Sequence, residues 1–202
     1  LELYVTFLRI LAQGALTTLE ISLVAMALAV ARGLILALMR IYGGGVLSLA
    51  ALLYIEVIRG TPLLIQLFFI FYALPYAGLK LSPFVAAVLG LGLNYAAYEA
   101  EHYRGGIAGV PKSQSEAGLA LGLTQGQTVR HIVIPQALRI VIPPITNDFI
   151  SLLKDSSLVS VITMVELTKL YGQLASTYYD FLGTGILVAA FYLLLGLPFV
   201  RL

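Results

Sequence analysis

Ser113-Gln114-Ser115-Glu116-Ala117-Gly118-Leu119-Ala120-Leu121-Gly122, followed after nine residues by Ile132-Val133-Ile134-Pro135, is a polar, capped element set between long apolar runs. Ser113-x-x-Glu116 has the form of a capping box, in which the serine accepts the Glu116 N–H and the glutamate reaches back. Gly122 supplies a left-handed residue to end the helix so started. Thr124-x-x-Gln127 repeats the pattern and predicts a second short helix, limited by Pro135. The pair is too ordered for a slack loop and too short to cross a bilayer. These residues alone leave two readings open: a surface anchor for a loop, or a dock for another protein.

Composition sets the class. Of 202 residues, 60% are hydrophobic and 11% charged, against about 25% charged in an average soluble domain. The expected fold is all-α and integral to a membrane, one transmembrane domain over 1–202 with about five spans. They fall near 15–39, 46–76, 84–103, 136–153 and 183–200, with a polar loop at 105–135. The second is interrupted by Glu56, Arg59-Gly60 and Pro62. Pro83 opens the third, and Pro143-Pro144 lie within the fourth. The segment 154–180 reads as part re-entrant or external helix. No small-residue cleavage site follows the first span, which is expected to stay in the protein.

Basic residues set the orientation. Arg40, Arg104, Lys112, Arg130, Arg139 and Arg201 on the cytoplasmic side predict an outside N-terminus and an inside C-terminus. Arg9, Lys80 and Lys169 then lie outside. The absence of cysteine excludes disulfides, thiolate metal sites and cysteine nucleophiles. No G-K-[ST], H-E-x-x-H or G-x-S-x-G occurs, so neither a P-loop nor a hydrolase motif is present. No cofactor or metal site is expected in this chain, nor a nucleic-acid partner. His131 reads as a surface or subunit contact.

The opening element resembles the EAA loop of ABC importer membrane subunits, whose pattern is E-A-A, three residues, G, nine, I, one, L-P. Glu116-Ala117-Gly118, Gly122, Ile132 and Ile134-Pro135 match its spacing in full, with Gly118 for Ala and Ile134 for Leu. Glu56-Val-Ile-Arg59-Gly60-Thr61-Pro62-Leu63-Leu64-Ile65-Gln66 is similar to a segment of permeases for polar amino acids. The stretches from Asn94 to Glu101 and from Asn147 to Leu158 resemble the same group. The resemblance covers about residues 14–200. It implies a type I importer fold and a coupling role for Ser113, Glu116, Ala117, Gly118, Gly122, Ile132 and Pro135. It also implies a second permease subunit, identical or related, and an extracytoplasmic amino-acid binding protein. Two ATP-binding subunits would hold the ATP and Mg. The setting implied is a bacterial inner membrane.

Charges within spans are costly and usually line a cavity or pair with each other. On the third span Asn94, Tyr98 and Glu101 share one helix face, and Tyr95, Glu99 and His102 share another. Glu99 and Glu101 point about 200° apart. Glu99 either pairs with His102 or adds negative charge near the path, which would favour a cationic amino acid. On the fourth span Asp148, Ser151 and Asp155 form a stripe. Lys154 either holds a substrate carboxylate or closes a network with Asp148 or Asp155. Pro143-Pro144 could open the backbone there. Glu20 lines the entrance or reaches the interface. Glu56 and Arg59 are expected to pair. The expected substrates are polar and cationic, arginine first, then lysine, histidine and glutamine. An alternative class is a proton- or ion-coupled carrier with Glu99, Glu101 and Asp148 as relay groups.

Overall fold

The structure, a computed structural model, describes residues 2–200. Arg201, used above to orient the chain, lies outside the described residues. The elements are α1 (Glu2–Tyr42), α2 (Gly44–Arg59), α3 (Leu63–Phe68), α4 (Pro83–Ala108), α5 (Lys112–Ala120), α6 (Gln125–Thr128), α7 (Ile134–Asp155), α8 (Leu167–Tyr178) and α9 (Phe181–Val200). No strand occurs among the described residues. The five expected spans correspond to α1, the α2–α3 pair, α4, α7 and α9. By length and composition α1 and α9 can each cross a membrane. At 26 and 22 residues, α4 and α7 are long enough, but both carry charges.

Two ladders of small residues build the central contact. Ala25, Ala29, Gly33 and Ala37 recur every fourth position on the buried face of α1. Gly92, Ala96 and Ala100 do the same on α4. Lipid tails give helices little hydrophobic reason to associate, so close backbone approach through small residues does that work. At Gly33 a Cβ would stand 2.5 Å from the Glu99 Cβ and 3.1 Å from the Ala96 carbonyl oxygen. α1 has 41 residues, so it extends beyond the expected 15–39 at its N-terminal end. That extra length packs on α8, where Phe7 and Leu11 join Leu167, Leu174 and Val188 in a second apolar cluster.

The second span is not straight. α2 and the helical run after it meet at 104°. Pro62 has no N–H and extended backbone (φ −62°, ψ 135°), so the chain turns out of α2 at Gly60 and restarts. At α4, Ser82 accepts the Val85 N–H at 3.3 Å, and Pro83 stands in the first turn, as the sequence predicts. The prolines of α7 do not open it: helix continues through Pro143 and Pro144. Each proline still withholds the N–H that the carbonyl four residues back would have bonded.

The 154–180 segment resolves into a 3-10 turn, Ser156–Ile162, and the amphipathic α8. Glu166 joins them and was not marked in the sequence. It is fully buried and caps α8, accepting the Lys169 N–H at 2.7 Å and the Thr168 N–H at 2.8 Å. The Tyr192 hydroxyl of α9 donates to it at 3.1 Å and Thr18 of α1 at 3.4 Å. One carboxylate thus ties three helices, and four donors offset the cost of burying it.

Candidate functional site: a polar helix break and a docking element

The break between α2 and α3 faces α4. Gln66 fills it: its Nε2 donates to the carbonyls of Ile58 at 2.8 Å and Thr61 at 3.1 Å, and to Thr61 Oγ1 at 2.8 Å. Its Oε1 accepts from Asn94 Nδ2 at 3.1 Å. Arg59 lies over the Tyr98 ring, 5.2 Å from its centroid. The expected Glu56–Arg59 ion pair does not form among the described residues; the bend turns Arg59 toward α4 instead. Glu101 pairs with Arg104 at 2.6 Å. Asn94, Tyr98 and Glu101 therefore do share one face. Gln66 belongs with them, and its signal was its place four residues after a helix-breaking proline.

The other face of α4 meets α7. His102 pairs with Asp148 at 3.0 Å, and the Tyr95 hydroxyl donates to Asp155 at 2.8 Å. The two contacts lie seven residues apart on each helix, two turns of an antiparallel pair. The His102 partner is thus Asp148, not Glu99. Glu99 is fully buried beneath α1 at Gly33, and neither oxygen has a hydrogen-bond partner among the described residues. It does not open on the Asn94–Tyr98 face, because the α1 contact claims that side of α4. Lys154 is exposed, and no ion pair joins it to Asp148 or Asp155 among the described residues. Glu20 is exposed on α1. Arg32, also exposed, lies within the first span and escaped the sequence reading.

The docking element differs in detail from its expected form. α5 starts at Lys112, two residues early, with Pro111 in the cap position and no side-chain cap. Ser113 and Glu116 are therefore both helical and exposed, and the predicted capping box is absent. The helix ends as expected. Gly122 has φ +83°, its N–H donates to the Leu119 carbonyl at 3.0 Å, and the Leu123 N–H donates to the Gly118 carbonyl at 3.1 Å. This is a Schellman stop. The second box is present in full: Thr124 Oγ1 accepts the Gln127 N–H at 3.3 Å, and Gln127 Oε1 accepts the Thr124 N–H at 2.9 Å.

Pro135 does not limit the second helix. α6 passes through a π turn, Val129–Val133, directly into α7. The turn's wider register bonds the Ile134 N–H to the Val129 carbonyl, just ahead of the residue that has no N–H to offer. α5 folds back on this turn. A Cβ on buried Gly118 would meet Ile132 Cδ1 at 2.7 Å and Thr128 at 3.1 Å. Gln136 Nε2 reaches Gln114 Oε1 at 3.4 Å. Gly118 and Ile132 thus form the inner seam. Glu116, Ala117, Ala120 and Leu121 are exposed, Leu121 to 83%. Behind the π turn a cavity of about 390 Å³ separates Val129 and Val133 from Leu38, Tyr42, Tyr103 and Ile107.

Residues 29–202 match the family model described as binding-protein-dependent transport system inner membrane component. The glutamine transport system permease protein GlnP of Escherichia coli (strain K12) is 41% identical over 190 residues, covering 93% of this chain and 87% of that protein. The L-cystine transport system permease protein TcyB of Bacillus subtilis (strain 168) is 42% identical over 164 residues, covering 81% and 70%. The crystal structure of an amino acid ABC transporter with histidines superposes with a TM-score of 0.92 at 37% identity, covering 98% of this chain and 92% of that one. A polar break inside the membrane, an outward-facing EAA-type element and these matches make the chain a member of the inner-membrane permease components of amino-acid ABC importers.

Proposed function

We propose that this chain forms the pathway of an ATP-driven importer for polar amino acids, cationic ones first: arginine, then lysine, histidine and glutamine. The observation that carries the mechanism is the exposed α5 face, rigidly seated on a π turn that is continuous with α7. A push on α5 is delivered along α7 to Asp148 and Asp155, which hold α4. Ser113, Glu116, Ala117, Gly122 and Pro135 shape the contact with the ATPase, and Gly118 and Ile132 keep it stiff. Two ATP-binding subunits hold ATP and Mg. ATP binding must favour one pathway state over the other for alternating access to follow. The pathway is completed by a second permease subunit and supplied by an extracytoplasmic binding protein. The N-terminus lies outside and the C-terminus in the cytoplasm, in a bacterial inner membrane.

The cationic reading rests on Asp155. It accepts only the Tyr95 hydroxyl, and no cation lies within ion-pair reach of it among the described residues. Lys154 beside it suits a substrate carboxylate, while Glu20, Asn94, Tyr98 and Asp148 flank the route. Glu101, neutralised by Arg104, steers rather than binds. Glu99 is buried beneath α1 at Gly33 and has no part in this reading. A glutamine reading is favoured by the pairing of Glu101 with Arg104 and of Asp148 with His102. Competition uptake with the assembled importer separates the two. Asp155→Asn should reduce arginine uptake relative to glutamine by about tenfold, the scale of one charge-assisted hydrogen bond. An unchanged preference would overturn the cationic reading.

A further inference from the structure

The recess between the 3-10 turn and α8 lies far from the docking element. α8 packs on α1 at Gly14 and Thr18, whereas the π turn faces Leu38 and Tyr42. Those levels are 24 residues apart on one helix, about 36 Å. The recess holds about 590 Å³, within the roughly 300–1,000 Å³ of small-molecule sites. Lys169, Gln173, Ser160, Ser176 and Thr177 supply its polar wall, and no acidic residue lines it. Lys169 has no ion-pair partner among the described residues. The acid nearest in sequence, Glu166, is sealed inside with its oxygens bonded to the α8 backbone, Thr18 and Tyr192.

We propose that this recess is a second, outer amino-acid site, in which the Lys169 ammonium holds the α-carboxylate of a free amino acid and the surrounding hydroxyls and amide accept its ammonium. Ser176 already donates to the Gly172 carbonyl at 2.7 Å, so its oxygen is free to accept. The volume suits a whole small molecule rather than one side chain of a docked protein. With no acid in the wall, the site reads the backbone groups of the amino acid and not its side chain. It would hold arginine and glutamine alike, upstream of the Asp155 region that discriminates. The inference rests on the importer reading, with the N-terminal end of α1 outside.

The test is equilibrium dialysis of the intact permease–ATPase complex in nanodiscs, without binding protein, against radiolabelled arginine, glutamine and argininamide. Wild type should show a side-chain-tolerant component that argininamide lacks. Lys169→Met should weaken that component about tenfold or more, Lys169→Arg should keep it, and basal ATP hydrolysis should not change. Binding unaltered by Lys169→Met, or weakened equally for argininamide, overturns the outer site. A Lys169→Met effect confined to the binding-protein concentration needed to stimulate ATP hydrolysis makes Lys169 a docking contact and also overturns it. A tolerant, Lys169-dependent component that persists while Asp155→Asn changes nothing supports the outer site and overturns the cationic reading of the inner one. No amino-acid binding at all overturns both.

Discussion

The docking element and the helix break are both polar interruptions of an apolar chain, but they spend their polar groups differently. At the dock the fixed features are local: a left-handed glycine, a Thr124–Gln127 box and a π turn ahead of Pro135. Ser113 and Glu116 face outward. At the break Gln66 bonds locally to Ile58 and Thr61 and across to Asn94, and on the other face of α4 His102 takes Asp148 and Tyr95 takes Asp155. A surface waiting for a partner can leave its groups in water. Inside a bilayer each unsatisfied group costs several kcal/mol; Gln66, Asp148 and Asp155 are paired, whereas the Glu99 carboxyl is not. In the proposed function the first region is the one pushed on, and the second holds helices together until it is rearranged.

Substitutions can break or sharpen this contrast. The largest effect is expected at the seam beneath the break. Gly33→Leu would drive a side chain into the Glu99 Cβ and the Ala96 carbonyl, costing about 3 kcal/mol or more. Size-exclusion yield and thermal unfolding of the purified complex would read it, and a normally assembled variant would refute the close α1–α4 contact.

Glu116→Lys changes the dock alone. Assembly should survive, because the side chain is exposed and bonds to nothing in this chain among the described residues. Uptake per ATP hydrolysed should fall by about 5- to 150-fold, the usual range of an allosteric coupling energy. Proteoliposome uptake measured beside ATP hydrolysis checks this, and coupled transport at the wild-type ratio would remove the docking role.

Gln66→Leu leaves the Ile58 carbonyl and the Asn94 amide without their partner. It should destabilise by about 1–3 kcal/mol and slow uptake without altering the basal hydrolysis rate. If hydrolysis falls in parallel with uptake, the break and the dock are not the separate regions described above.

The smallest effect belongs to Gly118→Ala. The new methyl meets the far end of the Ile132 side chain first, which can turn aside at about 0.5–1.5 kcal/mol. Coupled uptake should stay within about twofold of wild type on that scale, and a complete loss would mean that the seam is tighter than its geometry implies.

The sequence was read most fully where structure is local. Gly122 and Thr124–Gln127 stand as expected because a left-handed φ and a capping box involve residues only a few positions apart. Pro83 belongs with them. The Ser113 box lies two residues past the actual start: Pro111 takes the cap position, and no sequence rule weighs two competing starts that finely. The orientation of Arg59 was also out of reach, since it depends on the 104° bend and on Tyr98 standing opposite.

Composition pointed to a membrane, and the resemblance of residues 113–135 to the EAA loop pointed to an ABC importer, because neither needs contacts between distant segments. Only the tertiary structure decided which acid meets which base. Glu99, His102 and Asp148 could be paired in more than one way on paper. The small-residue contact of α1 with α4 buries Glu99 at Gly33, and that leaves His102 to Asp148. Glu166 became a buried hub by the same logic: three helices converge on it, and a convergence of distant segments is written in no single stretch of sequence.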